Sequence, residues 1–524
     1  MSTTVEEPTM DPTPTPTPAP ADAAPARAAD RTAAVLALAR VEARELVMQI
    51  PVLFFFLLET GLLVWKCWDE EGMDAFPVLN TVDRETQSGP LLASIALLIC
   101  VNVAVQRDRR NGTAQQFGVL PMEPWRRTLA HLLSVVPFAL LAALLVAAEY
   151  AWSALKPGAV GHGSLGELAV GPLMVLLTGA AGVLLARLLP SSLVPILFAV
   201  AAYFLITSLL MTDGAPEGVR RLAPVLDTGG GGGDPVPSDL LGRPAAWHAL
   251  YLAGLCALLA CAALLVAGGR TRALKAVTAV ALAATATGAV GQLPRDTAAL
   301  DAARKTASTA PERVQSCTTR GGATYCSFPE WNGVRGEWAK VVDRVRAAAG
   351  APASDLRLTV RQRIDTSGGL EVDGALAPST TPGEVTVGTR WGGNRVGEFA
   401  VGVAAVLVAG TEARADALCD GRMVTVMWLA LGSDPHPLTA LRDLRLDDAV
   451  TGSGVVLAPT DPLSLTGQQT EVLRALLDRP RAEVTARVKA HWRDLTSPRT
   501  TTARTARLLG VPVPKGEETC ADEE

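Results

Sequence analysis

The sequence LLASIALLICVNVAVQRDRRNGT, residues 91–113, decides the fold class. Residues 91–105 carry no charge, whereas residues 106–113 carry three arginines and one aspartate. A helix that crosses the roughly 30 Å hydrocarbon core of a bilayer needs about 20 predominantly apolar residues. With its neighbours, this stretch predicts a membrane helix over residues 89–106 that ends in a charged loop.

The composition of the whole chain agrees with a membrane protein. Of its 524 residues, 49% are hydrophobic and only 19% are charged, and the mean hydropathy is +0.27. These values fit a soluble protein poorly. The formal net charge is −5, so no global basic surface exists to hold nucleic acid, and a nucleic-acid partner is not expected.

Similar uncharged apolar stretches recur along the first half of the chain. They predict six membrane spans and a weaker seventh, rich in Ala and Thr, at about 48–66, 89–106, 130–152, 168–189, 193–212, 247–268 and 276–293. The predicted fold class is therefore a polytopic α-helical membrane protein with six spans over residues 48–268, a seventh over 276–293, and a mixed α/β domain over 296–524.

Two segments precede the first predicted span. Residues 1–30 are rich in Pro, Thr and Ala and carry almost no bulky apolar side chains, which predicts a disordered tail. Residues 31–47 interleave apolar side chains with Arg and Glu, which favours an amphipathic helix on the membrane surface. An extension of the first membrane helix explains the same pattern equally well.

The positions of Lys and Arg predict the orientation, because these residues collect in cytoplasmic loops. With the N-terminus in the cytoplasm, the flank before residue 48, the loop at 107–127, Arg187 and the segment 270–275 lie inside. These segments hold most of the loop cations. Seven crossings then place the C-terminal domain outside the cell membrane, so the predicted location is multi-pass in the cell membrane with a cytoplasmic N-terminus and an extracytoplasmic C-terminal domain.

Residues 296–524 have the character of a folded domain. Strand-like alternation runs through 356–361, and helical patterns recur near 331–349, 398–410, 421–431, 466–478 and 480–494. Cys317 and Cys326 flank a Gly-Gly pair, a spacing that a hairpin closes into a disulfide, and Cys419 with Cys520 is a second candidate pair. Disulfides agree with an oxidising compartment.

The loop after the second predicted span carries the strongest functional signal. Its charged run Gln106 to Thr113, the following apolar run to Pro121 and the entry PWRRTLA at 124–130 resemble the permease subunits of ABC-2 type transporters. The segment around Arg40 to Glu45 is similar to the interfacial helix that precedes the first span in that family. The resemblance covers about residues 30–268.

The resemblance implies a coupling loop to a separate ATPase, with the residues Arg107, Arg109, Arg110, Gly112, Thr113 and Pro121. Arg side chains suit such a contact because they form bidentate pairs with carboxylates. The alternative is that these arginines only anchor a helix end on the cytoplasmic side. The seventh span and the large C-terminal domain depart from the family pattern of six spans.

No ATP-binding motor is expected in this chain. The run Gly229 to Gly233 continues into Asp234-Pro235 rather than the Lys and Ser or Thr of a phosphate-binding loop, and the loop GGNRVG at 392–397 has Glu398 where that Lys would stand. No cofactor is therefore expected here, and ATP and Mg²⁺ would be bound by the partner ATPase. A second permease subunit, identical or not, and the lipid bilayer are the other expected partners.

Enzymatic signals are weak. The five His are scattered, with no His-Glu-x-x-His pattern, so neither a catalytic nor a metal site is predicted. Polar residues inside spans are costly and therefore informative, and Glu59, Asn102 and Glu149 are candidates for a translocation path. The alternative is that Asn102 bridges two helices by hydrogen bonding and that Glu149 belongs to the interfacial belt.

Two functions follow from these features. The first is the membrane permease of an ABC-2 type exporter, which moves a hydrophobic or amphiphilic substrate with a separate ATPase. The second is a membrane-anchored extracytoplasmic binding or assembly protein without transport activity. The Arg-rich loop favours the first, and the size of the C-terminal domain favours the second.

Overall fold

The structure is a computed structural model of the chain. It describes residues 28–68, 72–113, 122–211, 217–225, 234–293, 297–366, 375–444, 454–457 and 459–515. The predicted tail before residue 28, the polyglycine run, Pro121 and Cys520 lie outside these residues. The described chain is mostly helical, with one four-stranded and one two-stranded sheet.

The described residues between 28 and 293 form a helical block. Its helices are α1 Ala28–Val47, α2 Ile50–Trp68, α3 Leu79–Glu85, α4 Leu91–Val105, α5 Arg107–Arg110, α6 Pro124–Leu133, α7 Val136–Ala154, α8 Leu165–Leu168, α9 Val170–Leu188, α10 Val194–Met211, α11 Glu217–Arg220, α12 Ala245–Val266 and α13 Arg272–Gly291.

Five helical segments of the described chain are long and apolar enough to cross a membrane: Ile50–Trp68, Pro124–Ala154, Leu165–Leu188, Ala245–Val266 and Arg272–Gly291. The other two predicted spans coincide with shorter apolar helices, Leu91–Val105 and Val194–Ser208. Every predicted stretch is thus helical, while the number of spans stays a prediction. The predicted amphipathic segment is helical too, and it begins at Ala28, three residues inside the predicted tail.

Close backbone contact at small residues holds the block together. The central helix α9 is buried along most of its length, and a Cβ on its Gly182 would lie 2.6 Å from the carbonyl oxygen of Leu98 in α4. In the antiparallel pair α12 and α13, a Cβ on Gly254 would lie 2.5 Å from the backbone nitrogen of Thr285. Small residues at such positions allow helices to pack by van der Waals contact, as is typical of membrane bundles.

The C-terminal domain follows the block and contains strands as well as helices. Its strands are β1 Ser316–Arg320, β2 Ala323–Ser327, β3 Leu358–Gln362, β4 Glu384–Val387, β5 Gly454–Leu457 and β6 Thr460–Ser464. Its helices are α14 Thr297–Thr309, α15 Arg335–Ala348, α16 Ala351–Ser354, α17 Asn394–Ala409, α18 Glu412–Asp416, α19 Arg422–Leu431, α20 Pro437–Asp443, α21 Gly467–Leu477, α22 Arg481–Ala490, α23 Trp492–Leu495 and α24 Thr502–Leu509.

The four-stranded sheet has the order β1-β2-β3-β4, with β1 antiparallel to β2 and the other neighbours parallel. Strand β3 confirms the predicted alternation, because its side chains are alternately buried and half-buried. Helices α17 and α19 lie in the middle of the domain, buried over nearly their whole length. A core of Val, Leu and Trp side chains surrounds them, including Trp331 and Trp338. The mixed α/β prediction is confirmed.

The predicted disulfide is present. Cys317 in β1 and Cys326 in β2 are direct partners across the antiparallel pair and are bonded to each other. Gly321 and Gly322, both with positive φ, form the turn between the two strands. Cys419 is also disulfide-bonded, and the partner predicted for it lies outside the described residues.

The C-terminal domain rests on one end of the helical block, called here the domain-proximal end. The backbone N–H of Ser238 donates to Glu330 at 3.0 Å, and Arg390 forms an ion pair with Asp234 at 3.0 Å. Val78, Val160 and Leu240 of the block belong to the same apolar cluster as the core of the domain. The two regions therefore share a packed junction. The opposite end, with Arg107 and Arg270, is called the domain-distal end.

The loop GGNRVG has a structural role at this junction. Gly392 and Gly393 adopt positive φ just before α17, and a Cβ on Gly392 would lie 2.8 Å from the Phe76 ring of the block. Glycine permits both the turn and the close approach.

Candidate functional site

The predicted coupling loop lies at the domain-distal end. Arg107 to Arg110 form the single turn α5, directly after α4. Arg107 is paired with α1: its guanidinium contacts Glu45 and lies 3.6 Å from Glu42. Burial raises the pKa of Glu42, and the charge of Arg107 acts in the opposite direction. Arg107 thus joins the loop to the amphipathic helix.

Arg109 and Arg110 differ from Arg107, because both are exposed. Within the described part of the chain, neither side chain makes a hydrogen bond or ion pair. Gly112 takes a positive φ, and the Thr113 backbone N–H then donates to the Asp108 carbonyl at 3.0 Å. The Gly-Thr pair therefore closes a turn directly after the two exposed arginines. Pro121, the last residue predicted for this loop, lies outside the described residues.

Two of the three predicted path residues lie together. Glu59 in α2 and Glu149 in α7 line one cavity of about 380 Å³ near the domain-proximal end. Its walls come from α2, α3, α4 and α7, and residues 234–243 close one side. Apolar side chains form part of its lining: Phe55, Leu58, Leu62, Leu92 and Leu145.

A charged cluster lies at the side of this cavity nearer to the C-terminal domain. The Lys66 ammonium donates to Glu149 at 2.9 Å and lies 3.6 Å from Glu85. Both carboxylates therefore share one cation, in the last turn of α2. A smaller cavity of about 120 Å³ shares Lys66, Glu85 and Glu149 and continues to Trp391 of the C-terminal domain.

Glu59 lies about two helical turns before Lys66 on α2, away from this charged cluster. Its Oε2 is buried, and it has no hydrogen-bond partner among the described residues. Its Oε1 lies beside Gly89, where an added Cβ would approach it to 3.3 Å. Buried polar atoms are almost always hydrogen-bonded in folded proteins. The buried Oε2 of Glu59 is an exception, and it lies at an accessible cavity where a ligand could donate a hydrogen bond to it.

Asn102 is placed elsewhere. Its side-chain amide donates to the carbonyl of Gly182 in α9 at 3.1 Å, and its Oδ1 accepts from Gln106 at 2.6 Å. It is fully buried and does not line the cavity. These contacts match the alternative of a bridge between two helices.

Lys66 and Glu85 were not predicted as site residues. Lys66 is the last residue of the first predicted span, and Glu85 lies in the acid-rich segment that follows it. A Lys inside the last turn of an apolar helix is a usable signal, since a cation at that depth needs a partner. Its partner Glu149 is 83 residues away in sequence. Hydrophobic periodicity describes single helices and does not predict a contact between two distant ones.

No group of three or more His, Cys, Asp or Glu within the described ranges is arranged to hold a metal ion. Comparison with protein-family models, with curated proteins and with solved structures found no match to this chain.

Proposed function

We propose that this chain is the membrane subunit of an ABC exporter of the ABC-2 type. In this proposal the helical block crosses the cell membrane six times over residues 48–268 and a seventh time near 276–293. The N-terminus and the domain-distal end are cytoplasmic, and the C-terminal domain is extracytoplasmic. The five long apolar segments and the resemblance of the loop at 106–130 support the proposal.

The observation that carries the proposal is the exposure of Arg109 and Arg110. Arg107 already anchors the loop through Glu42 and Glu45. An anchor at the helix end therefore does not need the other two arginines. Two adjacent guanidinium groups on a short turn suit the carboxylates of a soluble partner. An ATPase that binds ATP and Mg²⁺ would dock there, and movement of the loop would reach the block through α1 and α4.

The cavity at the domain-proximal end is the proposed substrate site. Its lining combines apolar side chains with a charged cluster around Lys66, which suits a hydrophobic or amphiphilic substrate. A second permease subunit, identical or different, would complete the translocation unit. Residues of this chain would bind and orient the substrate, and the partner ATPase would supply the energy.

The second candidate function is a membrane-anchored extracytoplasmic binding or assembly protein. The extensive core of the C-terminal domain and its packed junction with the block favour it. In that case the block only displays the domain, and no ATPase is bound.

Co-purification distinguishes the two functions. The tagged full-length chain would be isolated from its native membranes, and co-purifying proteins would be identified by mass spectrometry. We expect a polypeptide with phosphate-binding and Mg²⁺-binding motifs, and ATPase activity in the purified complex. Absence of any ATPase from repeated preparations of stable protein would reject the exporter proposal.

A charge reversal locates the contact. Arg109→Glu with Arg110→Glu should leave the protein inserted but abolish recovery of the ATPase, because like charges would face each other across the interface. Arg270→Glu with Arg272→Glu is the matched control, since both residues are exposed at the same end of the block. Equal recovery of the ATPase with both double variants would reject docking at this loop.

A further inference from the structure

We infer that the cavity around Glu59 binds an amphiphile with a cationic, hydrogen-bond-donating head group, such as a primary alkylammonium. This inference rests on the proposed function, because it names the substrate class for the site proposed there. Three features carry it: the charge of the lining, the open acceptor of Glu59, and the position of the cavity mouth.

The charge of the lining favours a cation. The cavity is lined by four carboxylates and three basic groups: Glu59, Glu85, Glu149 and Asp234, and Lys66, Arg84 and Arg243. Lys66 is shared by Glu85 and Glu149, Arg390 pairs with Asp234, and Arg243 lies 3.5 Å from Asp83. With these two outside partners included, five carboxylates face four basic groups. Glu59 is the lining carboxylate for which the described structure contains no ion pair. A bound cation would neutralise the excess negative charge at the cavity, whereas a bound anion would increase it.

The surroundings of Glu59 define the head group. Glu59 lies seven residues before Lys66 on α2, which is about 10 Å along the helix axis. At this depth its neighbours in the lining are Leu58, Leu62 and Leu92. Its buried Oε2 lacks a donor, so an N–H group of the ligand would both neutralise the charge and satisfy the acceptor.

The mouth of the cavity defines the rest of the ligand. Leu58, Leu62 and Leu92 line the cavity and are 38%, 61% and 53% exposed, so the cavity is open at these side chains. In a bilayer this side would face lipid, so an alkyl chain would enter sideways from the hydrocarbon region. A volume of about 380 Å³ is within the range of cavities that hold small organic ligands.

Photo-crosslinking in nanodiscs tests this inference without the ATPase. The probe is dodecylammonium with a diazirine on its alkyl chain, and crosslinked peptides are identified by mass spectrometry. We expect crosslinks to α2, α4 and α7. Excess dodecylammonium should suppress them, whereas dodecanol and dodecanoate should not. Equal suppression by all three competitors would show a site selective for chain length alone and would overturn the inference.

Two variants separate charge from shape. Glu59→Gln keeps the size of the side chain and should reduce saturable crosslinking roughly tenfold, the loss expected for one charge-assisted hydrogen bond. Leu62→Trp leaves Glu59 intact and should also reduce it, because the larger ring narrows the mouth. Glu123→Gln, at the opposite end of the block, is the matched control and should have no effect.

Undiminished crosslinking in both Glu59→Gln and Leu62→Trp would overturn the inference, even if each variant is stably folded. This failure is distinguishable from failure of the proposed function. Binding is measured on the purified chain alone, whereas the exporter proposal depends on recovery of an ATPase. If the chain recruits an ATPase but does not bind the probe, the exporter proposal stands and the proposed cationic substrate class is rejected.

Discussion

The helical block and the C-terminal domain present different surfaces to their surroundings. On α2 alone, Leu57, Leu62 and Trp65 are 62%, 61% and 74% exposed, and α10 and α13 show similar apolar faces. In the described residues from 297 onward, the large hydrophobic side chains that are exposed are Val314, Leu438 and Val513. Water tolerates scattered apolar residues but not faces of this extent. The comparison indicates lipid around the block and water around the domain.

The helical block and the C-terminal domain also differ in how their interiors are packed. The domain packs large side chains such as Trp331 and Trp338 around two buried helices, which is the usual result of the hydrophobic effect. The block gains less from burying apolar groups, because lipid is itself apolar. Its helices approach at Gly182, Gly254 and Gly288. The same chain therefore uses two different means of stabilisation.

The largest effect is expected when a packed glycine of the block is enlarged. A Cβ on Gly288 would lie 2.6 Å from the Tyr251 Cα, so Gly288→Leu should separate α12 and α13. We expect the free energy of unfolding to fall by about 3 kcal/mol or more, which is the upper end of the cost of overpacking. Size-exclusion chromatography after detergent extraction should show little monodisperse protein.

Gly61→Leu is the matched control for this variant. Gly61 lies on α2, and an added Cβ there would meet no atom within 4 Å. This variant should behave like the wild type. Similar behaviour of the two variants would contradict packing through small residues.

The second prediction concerns the domain. Replacing Cys317 and Cys326 with Ser opens a loop with a sequence separation of 9, for which loop-closure entropy gives about 2.5 to 3 kcal/mol. Limited proteolysis in membranes should cut the domain faster and leave the block unchanged. Cys100→Ala, which removes a buried thiol of the block, serves as the control. An unchanged rate of cleavage in the double variant would show that the bridge does not support the domain.

A smaller effect is expected at the junction, where Asp83 of α3 is buried. Burial raises its pKa to about 6, although the Ser164 N–H and Arg243 act in the opposite direction. The folded protein thus prefers the neutral carboxyl. The contribution of Asp83 to stability is greatest below its ordinary pKa of 3.8 and is lost as the pH rises toward 6.

Asp83→Asn should remove this dependence. We expect the Tm of the wild type, relative to that of the variant, to fall by a few degrees between pH 4 and pH 6.5. Thermal unfolding in detergent measures the difference. Asp461→Asn, at an exposed position, should follow the wild type at every pH. A parallel pH dependence in the wild type and in Asp83→Asn would contradict a neutral buried carboxyl.

Local features of the fold were predictable from the sequence. The hairpin closed by Cys317 and Cys326 depends on ten neighbouring residues, and the helix at 422–431 on its own apolar pattern. The parallel pairing of β2, β3 and β4 was not predicted, since β2 and β3 are separated by the helix α15. Pairing between distant segments is decided by packing, which periodicity does not describe.

The candidate site was predictable in part for the same reason. Glu59 and Glu149 were identified because polar groups in apolar helices are costly. Their common cavity depends on how α2 and α7 pack, and Lys66 belongs to it through a contact over 83 residues. Asn102 has the same sequence signal as Glu59 but bonds to a neighbouring helix, so the signal alone does not separate structural from functional polar residues.

Thiol labelling shows on which side of the membrane each end of the molecule lies. Glu471→Cys places a thiol at an exposed position of α21, and Arg110→Cys places one at the domain-distal end. A membrane-impermeant maleimide applied to intact cells should label Glu471→Cys at once and Arg110→Cys only after permeabilisation. Labelling of Arg110→Cys in intact cells, with Glu471→Cys reached only after lysis, would contradict an extracytoplasmic domain above a membrane-embedded block.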